Sequence, residues 1–562
     1  MKSPTPSSLR RFPWAFGLLV APLAMAWGCK EDPKPPVAEK PPAPAPTAAA
    51  PTPGTPAPAP TAEPAQLAPG APVGDNLPEP HPGPWLWVTR SSAGVYLVPR
   101  PDKDKKLGYV QIGGKVPVLA EKVEGENCSK GWYKVASGGY ICSMVGTTDE
   151  KDPIAKFPPR QPNVEALLPY PYMRNAHNGT PLYRSLPSRE QMYEYEPYLP
   201  AAKKAKEAKT EGEAAPAGSA ALPAEPAAPS PLPQPSLPPP EGDSGAPVAA
   251  APPEPLKWWE SGENLHEVKL EHLSEDADGI LVKRMVKGFY VAVDKSFPWN
   301  GRSWYKTTKG VIAPADRFWQ AAASDFQGVE IDGEKWKLPL AWVYGLNKTS
   351  TLYEIDPEAK KITSKGTVPH FGPVQLTGKT LTYASKDYLE TADGSWIKAS
   401  TVRRTTPEPR PEGVGENERW LDIDISEQTL VVYQGDTPLY ATLISSGKES
   451  RIKEKDHATP RGMWRVREKH VVATMDGDGS AAGDLPYSIE DVPYVMYFHK
   501  AYATHTAFWH QNFGYQMSHG CVNLAPLDAK WLFFHLEPPL PEGLHGVWSS
   551  EEKPGSMVVI HD

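Results

Sequence analysis

Cysteine is scarce in this chain: four residues, at positions 29, 128, 142 and 521, serve a length of 562. Charge of one sign is scarce too. The net charge of −8 is mild for this length, and no basic stripe with interleaved aromatics occurs, which argues against a nucleic-acid partner. A long apolar run is also missing. The stretch from Phe12 to Trp27 is broken by Pro13 and Pro22, so it is too short for a comfortable membrane span. Apolar surface is nearly absent from residues 30–83 and 201–256, which are built mostly of Pro, Ala, Glu, Gly, Ser and Thr. Burial there cannot offset the entropy of ordering, so both read as disordered or extended linkers. The remainder is expected to fold as 84–200, 257–405 and 417–562.

The N-terminus carries the features of an export signal. Arg10 and Arg11 precede the apolar stretch, which ends in Ala26-Trp27-Gly28-Cys29. Small residues before a cysteine resemble a bacterial lipobox, which would make residues 1–29 a lipoprotein signal with Cys29 lipidated; an ordinary secretory signal or an uncleaved anchor is the alternative. The expected address is the bacterial cell envelope, on the periplasmic side, with the proline-rich segment holding the folded part away from the membrane. In an oxidising compartment Cys128 and Cys142 are expected to form a disulfide, stabilising by about 3 kcal/mol for so short a loop; two buried free thiols are the alternative. That leaves Cys521 unpaired and flags it as reactive.

Most of the 18 tryptophans and 23 tyrosines lie outside the linkers, in keeping with aromatic-rich β cores. A weak repeat is visible: Gly131-Trp132-Tyr133-Lys134-Val135, then Ser303-Trp304-Tyr305-Lys306-Thr307, with Gly394-Ser395-Trp396-Ile397-Lys398 as a third copy. Each reads as strand, tight turn, strand, and the first resembles bacterial SH3-like modules. Such a module could bind wall material or act only as a spacer. Beyond residue 417 the pattern is of short strands: Trp420–Ile425, Thr429–Tyr433, Leu439–Ile444, Met463–Val466 and Tyr494–Phe498. One helix is expected from Pro526 to Phe534, with proline in its first turn and Asp528 near its positive end. The fold class is therefore mainly β, small barrel-like modules followed by a sandwich. Residues 475–480, Met-Asp-Gly-Asp-Gly-Ser, lack the full ligand series of a calcium loop and read as a surface loop or lid.

The chemistry concentrates in 505–524. Gly520 permits a sharp turn before Cys521. A turn whose amides converge on a cysteine can stabilise a thiolate and then an oxyanion, and a neighbouring imidazolium lowers a thiol from its usual ~8.5. His505 and His519 are the candidate partners, and a Cys–His pair serves acyl transfer through a thioester. His499, His505, His510, His519 and Cys521 could instead hold zinc, although only one cysteine and no compact ligand pair is present. A buried filler cysteine is the third reading. On these residues alone, all three stay open.

Ser518-His519-Gly520-Cys521-Val522-Asn523 resembles the signature of the L,D-transpeptidase, or YkuD, catalytic domain. Gln428–Tyr433, Ser445-Ser446-Gly447 and Thr459-Pro460-Arg461-Gly462 resemble further family landmarks in the family order. The resemblance spans about 417–562. It implies that Cys521 is the nucleophile, His505 the general base and His519 the motif histidine. The carbonyl of Thr506, where many members have glycine, would orient His505. The amides of His519 and Gly520 would lie near the oxyanion, with Ser518 in the same element. Asn523 would shape the pocket where other members carry arginine, and Trp509 would wall it. His510 is the rival base; His499 has no counterpart. The implied substrates are peptidoglycan stem peptides, with no metal or organic cofactor. A 3→3 cross-link forms if a stem amine resolves the thioester. Water would make an L,D-carboxypeptidase, and an amine on an envelope protein a protein-to-wall ligase. The reading from another class is a non-catalytic, wall-binding envelope lipoprotein.

Overall fold

The computed structural model describes residues 83–199, 258–261, 265–274, 279–345, 349–478 and 486–562. The signal, Cys29 and the two linker segments lie outside them. Among the described residues no helix is long and apolar enough to cross a membrane, and the architecture is mainly β.

The C-terminal part is a sandwich. Its first sheet runs in the order Val329–Glu330, Thr437–Leu443, Thr429–Gln434, Arg419–Asp424, Met557–His561, Gly462–Arg465. The continuous apolar run Leu430-Val431-Val432-Tyr433 is explained by burial on both faces. Leu430 and Val432 point into the core shared with Val495, Ala503, Val522 and Leu532. Val431 and Tyr433 point the other way, onto Trp342, Leu340 and Phe326. Each such side chain contributes about 1.5–3 kcal/mol on burial. The second layer joins Glu468–Gly477, Tyr487–His499, Tyr502–Thr506 and Val522–Leu524. Met475, Asp476 and Gly477, expected in a loop, belong to its first strand, paired with Ile489, Ser488 and Tyr487.

The helix Pro526–His535 lies against this layer, with Ala529, Leu532 and Phe533 buried. Its C-terminal carbonyls are capped by a buried amine: Lys469 Nζ donates to Phe533 O and, at 2.7 Å, to Leu536 O. Burial pushes Lys469 down to about 7. Near the other end, Asp528 accepts from Tyr440 Oη at 2.5 Å, Thr442 Oγ1 at 2.5 Å and Gly328 N at 2.8 Å.

The upstream repeat is real but is set differently from the tryptophan pattern. Three hairpins share one register: Trp132↔Cys142, Trp304↔Pro314 and Tyr388↔Lys398. Each turn has a glycine at positive φ, Gly138, Gly310 and Gly394. Each hairpin runs into a 3-10 turn, Ser143–Val145, Ala315–Arg317 and Ala399–Thr401. In the third copy the buried aromatic is therefore Tyr388, at 4 % exposure, beside Trp132 and Trp304 at 2 % and 0 %. Trp396 lies on the return strand and is only half-buried. In the first copy Cys128 and Cys142 form the disulfide.

The expected division into 84–200 and 257–405 does not follow the pairing. Strands Tyr172–Asn175 and Thr180–Tyr183 pair with Tyr290–Trp299 and Leu281–Met285, so one β unit is assembled from both sides of 200–257. The unit takes strands from before residue 200 and from after residue 257, so a boundary drawn by composition does not divide it. This unit is continuous with the C-terminal sandwich. Tyr290 pairs in parallel with Ile489, and Tyr170, Tyr172, Tyr290 and Ala292 share the sandwich core.

Candidate active site

Cys521 is the free cysteine among the described residues and is half-buried. It precedes the strand Val522–Leu524, which runs parallel to Tyr502–Thr506 with His505 opposite Asn523. Side chains alternate along a strand, so Asn523 and His505 share a face, and the same alternation continues to Cys521. All three line one cleft of about 640 Å³.

The turn that presents Cys521 is held from several sides. Gly520 has φ +117°, and a Cβ there would sit 2.4 Å from Tyr502 Cε1, so only glycine fits. Gly520 N donates to Ser518 Oγ at 3.1 Å, and Ser518 Oγ donates to Cys521 O. Thr459 Oγ1 accepts from Gly447 N at 2.8 Å and donates to Gly520 O at 2.9 Å. Ser518 N donates to Ser446 O at 3.0 Å. Ser446 in turn is clasped by Gln428, whose amide accepts from Ser446 N at 2.8 Å and donates to its Oγ at 2.6 Å. The landmarks Gln428, Ser446-Gly447 and Thr459 therefore converge on one turn. The Gly520 amide, expected near the oxyanion, donates to Ser518 Oγ in this structure.

His505 is 3 % exposed, and its Nδ1 donates to Thr506 O at 2.9 Å. That bond fixes the neutral tautomer and leaves Nε2 as an acceptor. Burial pushes His505 down to about 4, against the Thr506 carbonyl, and pushes the Cys521 thiol up to about 11. At neutral pH the resting pair is thus uncharged, not the thiolate–imidazolium pair that the sequence suggested. The Trp509 ring lies tilted beside His505 with centroids 5.8 Å apart.

His510 is otherwise engaged. Its Nδ1 lies 3.2 Å from Asn512 N and its Nε2 3.0 Å from Asn523 Nδ2; both neighbours are donors, so the neutral ring accepts from one of them. Burial pushes it down to about 4 as well. His519 is exposed, stacked on Tyr487 at 5.3 Å and edge-on to His457 at 4.9 Å; it is a wall of the cleft. His499 stacks on Tyr502 and lies tilted against Trp464. Among the described residues no three His, Cys, Asp or Glu side chains gather as a metal site. Sequence reasoning missed Tyr487, Tyr502, Lys500, Tyr290 and Arg174, all of which line the cleft. Tyr502 had a local signal in its spacing from His505. Arg174 and Tyr290 had none, because sheet pairing alone brings them there.

A cysteine and a tautomer-fixed histidine facing one cleft from adjoining parallel strands make up the Cys–His class of site that acyl transfer uses. Residues 418–560 match the family model of the YkuD L,D-transpeptidase catalytic domain. YciB of Bacillus subtilis (strain 168), provisionally named an L,D-transpeptidase, is 26% identical over 184 residues, 31% of this chain and 81% of that one. The crystal structure of a cysteine-to-serine mutant of the Enterococcus faecium L,D-transpeptidase is 23% identical, covering 26% of this chain and 50% of that chain, with a TM-score of 0.19. An L,D-transpeptidase from Xylanimonas cellulosilytica DSM 15894 is 20% identical, covering 27% of this chain and 64% of that chain, with a TM-score of 0.20. The match to the YkuD catalytic domain is thus confined to residues 418–560, and the chain spans 50% and 64% of these two solved relatives.

Proposed function

We propose that this chain is an L,D-transpeptidase acting on peptidoglycan stem peptides through a thioester on Cys521. The observation that carries the reading is the shared cleft: Cys521 with His505, whose Nδ1–H is tied to Thr506 O so that Nε2 is a base. The donor is a stem tetrapeptide ending in D-Ala. As sulfur attacks the carbonyl of the third residue, the thiol proton passes to His505 Nε2. The tetrahedral intermediate collapses, D-Ala leaves with that proton, and the acyl group remains on sulfur. A stem amine then attacks the thioester, gives its proton back through His505, and forms a 3→3 cross-link; the thiol is restored. Water as acceptor would give a trimmed tripeptide, and a protein amine a wall-linked protein. The upstream β modules fit a wall-binding or spacing role, and Cys29 the role of a lipid anchor.

The test is to incubate the purified chain with tetrapeptide muropeptides and weigh the products. A dimer lacking one D-Ala supports the transpeptidase, a free tripeptide the carboxypeptidase. Unchanged muropeptides would refute the catalytic reading and leave the wall-binding one.

A further inference from the structure

The cleft around Cys521 is not built by the catalytic domain alone. Arg174, Gly288 and Tyr290 form part of its lining, and all three lie outside the matched residues 418–560. Arg174 is held on the strand Tyr172–Asn175, between Phe318–Gln320 on one side and Tyr290–Trp299 on the other, where it faces Trp319 and Tyr290. That unit is fastened to the catalytic strand Tyr487–His499 by several bonds. Tyr172 Oη donates to Asp491 O at 2.5 Å, Thr308 Oγ1 to Asp491 Oδ2 at 2.5 Å, and Lys309 Nζ pairs with Asp491 Oδ1 at 2.6 Å. Ala292 N donates to Glu490 Oε2 at 3.2 Å.

The electrostatics of the cleft are one-sided. Arg174 and Lys500 line it, and no Asp or Glu does so among the described residues. The Arg174 side chain is exposed and takes part in none of the ion pairs found among the described residues. Gly288 leaves it room, since a Cβ there would still lie 4.0 Å from its Nη2. Arg174, Tyr290 and Trp509 also border an adjoining cleft of about 360 Å³ walled by Trp319 and Phe508. A guanidinium on a rigid strand, facing a cleft without acidic residues, presents a planar fork of donors suited to a carboxylate.

We propose that Arg174 is a specificity residue supplied by the upstream β unit, binding a carboxylate of the acyl-donor peptide while Cys521 attacks. The inference rests on the stem-peptide reading above, but its chemistry is testable without that substrate. On the full chain, Cys521 is alkylated with iodoacetate and with the neutral iodoacetamide, each rate normalised to a free thiol and followed by intact mass. The wild type favours the carboxylate reagent. Arg174→Gln removes that preference, Lys500→Gln keeps it, and iodoacetamide reacts at the wild-type rate in both. Equal preference in wild type and Arg174→Gln, or its loss only in Lys500→Gln, would overturn the assignment.

Turnover gives the second arm. With a tetrapeptide donor, Arg174→Gln raises KM about ten- to a hundredfold, the loss expected for one charge-assisted hydrogen bond, and leaves kcat nearly unchanged; Arg174→Lys restores part of it. Donors amidated at the C-terminus or on the side-chain carboxyl identify the carboxylate, because one of them makes wild type and Arg174→Gln alike. An equal KM ratio on all donors would contradict a carboxylate contact. A wild type that shows the alkylation preference but releases no D-Ala would remove the stem-peptide reading and keep the carboxylate site.

Discussion

At the scale of single residues, the site separates two histidines that the sequence could only rank. His505 has one nitrogen tied to the Thr506 carbonyl and the other unspent, whereas the His510 ring is flanked by Asn512 N and Asn523 Nδ2, and its acceptor nitrogen is taken by one of them. His505→Ala is therefore expected to slow acylation of Cys521 by a carbapenem by about 10²–10⁴-fold, and His510→Ala by much less; intact mass against time reads both. The pH profile carries the same assignment. Because burial holds His505 near 4 and Cys521 near 11, the base stays unprotonated and the thiol protonated between those values. Acylation should stay level from about pH 8 down through pH 6 and fall only as the solution nears 4. An acid limb centred near the ~6.5 of a free histidine would contradict the lowering of His505 by burial. Gly520→Ala should lose activity and at least about 1 kcal/mol of stability, because alanine at φ +117° also meets the Tyr502 ring. The contiguous run 518–523 and the spacing to His505 made these residues legible. The role of the Gly520 amide was not, because it depends on which acceptor Ser518 offers. The neutral state of the pair was hidden for a similar reason, since burial is not written in spacing.

At the scale of elements, alternation and turn residues were sufficient where a strand has a local reason to exist. The hairpin Arg419–Asp424 with Thr429–Gln434 and the helix at Pro526 both lie where the pattern put them. The third repeat shows the limit. Trp396 attracted the alignment, but the hairpin register places Tyr388 in the buried position; identity of residue type misled where spacing from the turn glycine would have served. The helix also depends on a partner invisible in its own sequence, the buried Lys469 at its C-terminal carbonyls. The folded-state value of Lys469, about 7 against the ordinary 10.5, sets the sign of a stability slope. Between those values the unfolded chain binds the proton and the folded chain does not, so Lys469 makes stability rise with pH in that window. Lys469→Met should lower the melting temperature at pH 10 and remove this rise. Thermal unfolding of both proteins at pH 7 and pH 10 checks it, and parallel curves would contradict the burial argument.

At the scale of the whole molecule, the catalytic domain is not a self-contained globule. Its main core includes Tyr170, Tyr172, Tyr290 and Ala292 from upstream, and its outer sheet face is covered by Phe326, Leu340 and Trp342. Composition could not reveal this, because it marks the proline-rich breaks and not the strands that pair across them. Residues 417–562 expressed alone should expose these apolar faces, so the fragment should melt well below the full chain and bind a hydrophobic dye; a fragment as stable as the full chain would show that the shared core contributes little. The central claim, that Cys521 carries the acyl group, is tested most directly by intact mass spectrometry of the full chain mixed with a stem tetrapeptide and quenched in acid. The account predicts an adduct equal to the tripeptidyl group, mapped to Cys521, with one D-Ala released per adduct and neither seen in Cys521→Ala. Release of D-Ala by Cys521→Ala at the wild-type rate, or an adduct on another residue, would contradict it.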